Sequence, residues 1–528
     1  MRSTVADDPE GVHYPRDAGG HTSTTRTAKA ILAAAFSAGQ TVQVHGMQLA
    51  MQQETAWRRR YPVHFRALCV GGAAEPAFSV TSAQHGLDEA WRQFKFVRNG
   101  VAMGLRAAMN DPQPRIVSME HRGRGASEVQ PWSLPYRGRD LQGQEVRDLM
   151  ATWQDAGVVE PGHVEAIGRV LDHPEWFDLS DQYLVLLGAG AEAGPLSWLA
   201  KWRTNIVAVD MPSSRIWKKI TDKVDQGNAR LIAPVFAGRQ NRSDWVRHAG
   251  ASLLTHTPEI GAWLANMSPK LSIASLAYLD GERHVRVVMA MDAICQTVFD
   301  AKTDTGRMFL GTPTDVFVVP QAVAEAVMAR FDERSRLSRS AVGPMRMISG
   351  GRWLRPHIEN LIQSSDGNRY GLVDALVIEQ GPNYALAKRL QQWRAVVTRA
   401  QHNHVSYNVA PSTSTKSVLK NPALKAGFDG AHRFGMEVFE PATTNALMAA
   451  MWVHDLRCKD SIANPRTALN HPLEQLTRTA NHGGLWRSAY LPRSALPLAA
   501  MMGFLAPGRA IAPAVGHQPA QGEHDAPS

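Results

Sequence analysis

The chain has 528 residues, of which 44% are apolar and 20% are charged, a composition typical of a water-soluble protein. This length exceeds what one hydrophobic core supports, so we expect two or three folding units. No apolar run approaches the roughly 18 residues that span a bilayer, which excludes an integral membrane protein. Three widely separated cysteines exclude a disulfide framework and a cysteine-rich zinc site. We therefore expect a cytoplasmic protein.

The formal net charge of +9 at pH 7 is weak when it is spread over the whole chain. The basic residues form no continuous stripe, so we expect no nucleic-acid partner. Acidic side chains precede the first apolar stretch, which argues against a secretory signal. The histidines lack metal-ligand spacing, and we predict no metal site.

The polarity and periodicity of the sequence change several times along the chain. Both ends of the chain are polar and lack periodicity, which predicts disorder. Helical periodicity dominates the region that follows the N-terminal end, which predicts helices there. In chain order we predict a flexible arm over 1–23, a mainly helical region over 24–179, an α/β domain over 180–460, a short apolar extension over 461–506 and a disordered tail over 507–528.

From residue 181 onward, short continuous apolar runs alternate with helical patterns. Continuous apolar runs are typical of strands that are buried on both faces of a parallel sheet. The alternation therefore predicts an α/β fold with a doubly wound parallel sheet and helices on both faces. The predicted strands are 183–187, 206–209, 231–235, 271–279, 316–319, 373–378 and 405–409. The predicted helices in this region include 196–202, 286–299 and 322–331.

A glycine-rich turn lies between the first two of these strands. Gly188, Gly190 and Gly194 follow the first strand, and Asp210 ends the second. Glycines let backbone amides approach a pyrophosphate, and a carboxylate at the second strand binds the ribose diol of NAD. The same carboxylate repels the 2′-phosphate of NADP. The turn and the acid therefore predict a dinucleotide site that prefers NAD to NADP.

A tyrosine and a lysine share one face of a later predicted helix. Tyr384 and Lys388 are four residues apart in a segment with helical periodicity. A neighbouring ammonium stabilises a phenolate and so lowers the pKa of the tyrosine toward neutrality. This pair therefore predicts general acid–base chemistry.

The strand over 405–409 follows that helix and ends in a proline and small hydroxyl residues. Together with the glycine turn and the Tyr–Lys pair, this turn resembles the short-chain dehydrogenase/reductase family over about residues 180–460. The resemblance implies a Rossmann-like domain, a homo-oligomer, and oxidation or reduction of a carbonyl or alcohol in a bulky or apolar small molecule. It implies Tyr384 and Lys388 as catalytic residues. It implies as NAD-binding residues Gly188, Gly190, Gly194, Asp210, Pro411, Thr413 and Thr415.

Several features depart from the family pattern and leave alternatives open. Glu192 replaces the middle glycine of the turn, and no serine or threonine ends the strand over 373–378 that precedes Tyr384. The long spacing between the motifs implies an insertion within about 236–350. The alternatives are a relative that binds a nucleotide without catalysis and a methyltransferase that uses S-adenosylmethionine, which has a similar glycine loop and acid.

Overall fold

The structure is a computed structural model that describes residues 10–39, 41–239, 244–337, 347–415 and 422–505. The tail predicted over 507–528 and the first nine residues of the predicted arm lie outside the described residues. Within the described ranges, no helix is both long and apolar enough to cross a lipid bilayer.

The strands and helices are numbered in chain order over the described residues. The strands are β1 (Gly11–His13), β2 (Lys95–Arg98), β3 (Val101–Gly104), β4 (Ile116–Arg122), β5 (Leu134–Tyr136), β6 (Arg139–Leu141), β7 (Tyr183–Leu187), β8 (Asn205–Val209), β9 (Arg230–Phe236), β10 (Leu271–Ser275), β11 (Gly306–Gly311), β12 (Val316–Pro320), β13 (Ile362–Gln363), β14 (Arg369–Asp374) and β15 (Val405–Val409).

The longer helices are α1 (Thr24–Ser37), α2 (Val42–Gln53), α3 (Trp57–Ala74), α4 (Pro76–Gln93), α5 (Gln144–Ala156), α6 (Pro161–Asp172), α7 (Ser214–Asp225), α8 (Thr257–Ala265), α9 (Glu282–Ala301), α10 (Gln321–Leu337), α11 (Pro382–Ala400), α12 (Pro422–Ala431), α13 (Pro441–Arg457) and α14 (Pro492–Leu505). Shorter helical segments are Leu105–Ala108, Pro174–Phe177, Leu196–Leu199, Trp245–His248, Ile378–Gln380, His432–Phe434, Pro472–Leu476 and Leu485–Arg487.

Seven strands form a central sheet in the order β15-β11-β10-β7-β8-β9-β4. Six of them are parallel, and β4 runs antiparallel to β9 at one edge. Numbered by chain position and read from β9, the parallel strands have the order 3-2-1-4-5-6. This order reverses between β7 and β10, and doubly wound sheets bind their ligands at the carboxyl ends of the strands at such a point. The prediction of an α/β fold with a mainly parallel sheet is confirmed.

Alternate side chains of the central strands enter two apolar cores, one on each face of the sheet. On β7, Val185 and Leu187 belong to one core, whereas Leu184 and Leu186 belong to the other. Helices α1, α3, α4, α8, α9 and α11 supply the first core, and α5, α6, α7 and α13 supply the second. Because both faces are covered, the strands read as continuous apolar runs in the sequence.

Four strands differ from the sequence-based expectation. β11 is a central strand that the sequence does not predict, because Arg307 and a glycine at each end interrupt its apolar run. β12 pairs with β14 in a separate antiparallel sheet, although its apolar run predicts a strand of the main sheet. The strand predicted over 373–378 overlaps β14 only at residues 373 and 374. β4 joins the central sheet from within the region predicted to be mainly helical. Apolar runs indicate burial, but they do not specify the partner strand.

A buried ion pair ties the N-terminal helices to the helices that cover the sheet. Asp292 of α9 accepts hydrogen bonds from Nε and Nη2 of Arg394 of α11, at 2.6 and 2.7 Å. Nε1 of Trp91, on α4, donates to the same carboxylate at 2.8 Å. Burial raises the pKa of Asp292, but Arg394, Arg307 and the hydrogen bond from Trp91 together outweigh burial, so this pKa lies below its ordinary value. The carboxylate therefore remains charged and fully paired in the core.

Candidate functional site

The predicted glycine turn directly follows β7 at the carboxyl edge of the sheet. Gly188 has a φ of +95°, and its amide donates to the carbonyl of Val209 at 2.9 Å. A Cβ at Gly188 would lie 2.7 Å from the backbone nitrogen of Ala277, in the loop after β10. Glycine therefore allows the loops after the first and fourth parallel strands to approach closely.

Asp210 faces the glycine turn from the end of β8. Its Oδ2 accepts a hydrogen bond from the amide of Gly190 at 2.7 Å, and its Oδ1 accepts one from the amide of Met211 at 2.8 Å. Burial raises the pKa of Asp210, and these two hydrogen bonds offset part of the rise. The structure thus brings the predicted turn and the predicted acid together. Each carboxylate oxygen keeps a lone pair for a further donor.

The segment after the turn differs from the sequence-based expectation. The helix predicted over 196–202 is a single turn, Leu196–Leu199, because the chain reverses through Arg203, at a φ of +59°, before it enters β8. Glu192 is exposed. Glu192 lies near the ammonium of Lys223 on α7. Burial lowers the pKa of Lys223, and the negative charge of Glu192 opposes this shift. A phosphate at this turn would depend on the amides of the turn itself.

Tyr384 and Lys388 lie on one face of α11, as their spacing predicts. Nζ of Lys388 is 5.9 Å from the centroid of the Tyr384 ring. The same Nζ donates to the carbonyl of Leu310 at 3.1 Å and to Oε1 of Gln391 at 3.3 Å. Burial lowers the pKa of Lys388 to about 8, and the charge of Asp315 opposes this shift. The ammonium is therefore weakly stabilised, since its hydrogen-bond acceptors are neutral.

The pKa of Tyr384 shifts in the direction opposite to the predicted one. Burial raises it to about 12, and a hydrogen bond with Thr312 offsets part of that rise. The sequence spacing reveals the neighbouring ammonium but not the loss of solvent around the phenol. Loss of solvent is the larger effect because it disfavours the charged phenolate. The hydroxyl of Tyr384 is therefore protonated throughout the neutral range.

Thr312 is a candidate functional residue that the sequence-based search missed. It follows β11, the fifth parallel strand, and its buried hydroxyl lies 2.8 Å from that of Thr314. Residues 316–380, between β11 and α11, contain the separate antiparallel sheet and α10. The family pattern has a hydroxyl residue on the strand that precedes the tyrosine, and β11 is a strand of the main sheet that packs beside α11. The sequence Gly-Thr-Pro-Thr at 311–314 was the available signal.

Two further aromatic side chains pack around Tyr384. His284, in the first turn of α9, stacks on Tyr384 with ring centroids 5.6 Å apart and planes at 22°. The ring centroid of Tyr278 lies 4.7 Å from that of His284 and 6.2 Å from that of Tyr384, which it meets edge-on. Tyr278 directly follows Ala277, against which Gly188 packs. The aromatic cluster and the glycine turn therefore lie next to each other at the carboxyl ends of β7 and β10, where the strand order reverses.

His284 is a buried histidine without a polar partner. Its side chain is 2% exposed, and within the described part of the chain neither ring nitrogen has a hydrogen-bond partner. Burial and the charge of Lys388 lower the pKa of His284 well below its ordinary value, so the ring is neutral at pH 7. An unpaired buried polar group typically costs about 1–3 kcal/mol.

The turn after β15 makes different contacts. The hydroxyl of Thr413 donates to the carbonyl of Pro411 at 2.8 Å and lies 2.7 Å from the hydroxyl of Thr444 on α13. The amide of Thr415 donates to the carbonyl of Thr413. The backbone of Thr413 also forms an isolated β-bridge with Phe439. The structure thus packs the turn after β15 against α13 and the segment before α13. It does not bring this turn together with Gly188, Gly190 and Asp210, which lie beside one another, so the cofactor-binding role of Pro411, Thr413 and Thr415 stays a prediction.

The cofactor-binding role of Gly194 also stays a prediction. A Cβ at this glycine would lie 3.2 Å from the carbonyl oxygen of Ala191, within the turn itself. The amide of Gly194 donates to that same carbonyl at 3.1 Å. Gly194 therefore closes the turn on itself.

Comparison with known proteins assigns no family to the chain. No protein-family model matches it, and no curated protein matches it. Among the described residues, no group of three or more histidine, cysteine, aspartate or glutamate side chains is arranged to hold a metal ion.

Proposed function

We propose that the chain is an NAD-dependent oxidoreductase of the short-chain-dehydrogenase type, which interconverts a carbonyl and an alcohol. The observation that carries the proposal is that the glycine turn lies next to the aromatic cluster that contains Tyr384. Gly188 packs on Ala277, and the adjacent Tyr278 contacts Tyr384. The strand order supports a Rossmann-like domain, since dinucleotides bind such sheets at the point where the order reverses.

One residue beside the glycine turn fits a dinucleotide. Asp210 stands where a ribose hydroxyl would donate to it, and its charge favours NAD over NADP. NAD, when bound, would accept or supply the hydride of the reaction. Gly188, Gly190 and Asp210 are the residues that we expect to hold it.

The proton of the reaction would come from Tyr384. Because its pKa is about 12, the hydroxyl keeps its proton at pH 7 and can donate it to a carbonyl oxygen that gains negative charge. Thr312, which acts on the pKa of Tyr384, would hold the same oxygen and so fill the role of the serine that the sequence lacks. The ammonium of Lys388 would stabilise the phenolate that remains and would contact the ribose of the cofactor.

A fluorescence titration with NADH tests the cofactor. We expect saturable binding, and no binding at millimolar NADH would contradict the proposal. Tyr384→Phe should keep the affinity for NADH and lower carbonyl reduction at least about 100-fold, because it removes only the proton donor. Tyr278→Phe is the matched control, since Tyr278 is 48% exposed and its hydroxyl has no role in the proposed step. Thr312→Val should lower the rate more than Thr312→Ser.

A second candidate is a protein that binds a nucleotide without catalysis. The single helical turn after the glycine turn and the acidic Glu192 favour it, because both weaken a phosphate site. It predicts NADH binding, no reduction of any carbonyl compound, and no effect of Tyr384→Phe. The third alternative is a methyltransferase. It predicts that S-adenosylmethionine, and not NADH, raises the thermal midpoint of the protein.

A further inference from the structure

A buried aspartate joins the loop after β11 to α11, and the inference drawn from it rests on the proposed function. Asp315 ends this loop, directly before β12, and is buried. Its Oδ1 accepts a hydrogen bond from Nη2 of Arg389 at 2.7 Å, and its Oδ2 accepts one from Nε2 of Gln392 at 2.9 Å. One carboxylate therefore binds the loop over 312–315 to two residues of α11.

The face of α11 that carries the Tyr–Lys pair also contacts the chain on both sides of Thr312. Tyr384, Lys388 and Gln392 are spaced four residues apart, so they lie along one face of the helix. Nζ of Lys388 donates to the carbonyl of Leu310, two residues before Thr312, at 3.1 Å. Gln392 binds Asp315, three residues after Thr312. These contacts fix the backbone on each side of Thr312 against the helix that carries Tyr384.

The loop also holds its own hydroxyl groups in place. The amide of Thr314 donates to Oγ1 of Thr312 at 3.3 Å, and the hydroxyls of the two threonines lie 2.8 Å apart. Asp315 directly follows Thr314, so the ion pair with Arg389 anchors the segment that orients Thr312. We propose that Asp315 is a positioning residue of the proposed reaction. By holding the loop against α11, it keeps the hydroxyl of Thr312 beside that of Tyr384, so that both act on one carbonyl oxygen.

Asp315→Asn in the full-length chain tests this role. The substitution presents an amide NH₂ to one of the two donors, so the loop should shift. With NADH and a panel of apolar ketones that begins with acetophenone and cyclohexanone, kcat should fall about 10- to 100-fold, as expected for a misplacement of about 1 Å. KM and the affinity for NADH should change little, because Asp315 contacts neither ligand in the proposed site.

Glu259→Gln is the matched control. Glu259 of α8 is also buried and pairs with Arg98 of β2, and neither residue belongs to the loop or to α11. The variant should lower the free energy of unfolding, since it breaks a buried ion pair, and it should keep kcat.

A double-mutant cycle separates positioning from a purely structural role. In a Thr312→Val background, Asp315→Asn should lower kcat less than about twofold, because the hydroxyl that it positions is absent. A purely structural residue would change kcat by the same factor in both backgrounds. Gln392→Leu keeps the ion pair and removes one hydrogen bond to the loop, so it extends the test to a variant that folds if Asp315→Asn does not. It should lower kcat by a smaller factor, and only where Thr312 is present.

A crystal structure of Asp315→Asn, or of Gln392→Leu, provides a readout that is independent of turnover. The hydroxyl of Thr312 should move away from that of Tyr384, while α11 keeps its place on the sheet. In Glu259→Gln both hydroxyls should stay where they are in the wild type.

The outcomes separate this inference from the function on which it rests. Equal losses of kcat in the two backgrounds, or an unmoved Thr312 hydroxyl, overturn the role of Asp315 and leave the oxidoreductase intact. A wild type that binds no NADH overturns the oxidoreductase, and the role of Asp315 with it. A wild type that binds NADH and reduces no ketone favours the protein without catalysis and overturns this role as well.

Discussion

The amide of Gly190 donates a hydrogen bond of 2.7 Å to the carboxylate of Asp210. This bond joins the two motifs that the sequence places about twenty residues apart, the glycine turn after β7 and the acid after β8. Asp210 therefore has two tasks in the proposed site: it holds the turn in place and it presents a negative charge to the ribose.

Asp210→Asn should weaken NADH binding about tenfold and narrow the difference between NADH and NADPH. The substitution keeps one acceptor oxygen but removes the charge that discriminates against a 2′-phosphate. Fluorescence titration with both cofactors measures the effect. Asp222→Asn is the matched control, because this exposed residue of α7 pairs with Lys218, at 2.9 Å, and lies apart from the glycine turn. Unchanged affinities in Asp210→Asn would show that the carboxylate does not contact the cofactor.

Gly188→Ala should lower the free energy of unfolding by about 3 kcal/mol, since it combines left-handed backbone strain with a clash against Ala277. Gly138→Ala should cost only about 1 kcal/mol, because Gly138 has a φ of +74° but no atom lies within 4 Å of a Cβ there. Urea unfolding measures both values. Equal losses would indicate that the loops after β7 and β10 do not pack closely.

Lys388→Met should stabilise the fold below pH 8, and its advantage should shrink as the pH rises. Burial lowers the pKa of Lys388 to about 8 from 10.5, so protonation of this side chain opposes folding at neutral pH. The free-energy cost of burying the protonated lysine falls between pH 8 and about pH 10.5. Over this range Lys388 loses its proton first in the folded chain and then in the unfolded chain. Urea unfolding at a series of pH values tests the trend. Lys218→Met, at an exposed site, should show a much smaller change over the same range. A constant advantage for Lys388→Met would contradict the lowered pKa.

Asp292→Asn should cost about 3–5 kcal/mol of unfolding free energy, because it leaves Arg394 charged and without its partner in the core. Asp148→Asn on α5 is the control, since Asp148 is exposed and its carboxylate accepts a hydrogen bond from Gln144 at 2.8 Å. Chemical denaturation measures the two losses. Similar small losses would mean that water reaches the ion pair.

The sequence predicts those parts of the fold that local patterns determine. β7 matches its predicted bounds because five consecutive apolar residues are characteristic of a strand buried on both faces. Gly188 and Asp210 are correctly placed because each directly follows a strand. β11 is missed since it carries Arg307, whose buried guanidinium lies 4.0 Å from Asp292 of α9. That partner is distant in the sequence.

The candidate site shows the same limit. The spacing of Tyr384 and Lys388 predicts that they share a helix face, because four residues make about one helical turn. Thr312 and His284 could not be found in this way, since β11 and α9 bring them to Tyr384 only through the tertiary fold. The direction of the pKa shift of Tyr384 also depends on burial, which the spacing does not contain.

The position of β4 in the sequence affects how the central sheet can form during translation. Residues 116–122 pair with residues 230–236, so β4 leaves the ribosome more than one hundred residues before its partner does. Until then its backbone groups are unpaired, and such contacts between distant residues form slowly. A shortened chain that begins at residue 180 would instead leave β9 as an uncovered edge, which is a template for aggregation. The N-terminal third of the chain therefore protects the sheet on which the proposed site is built.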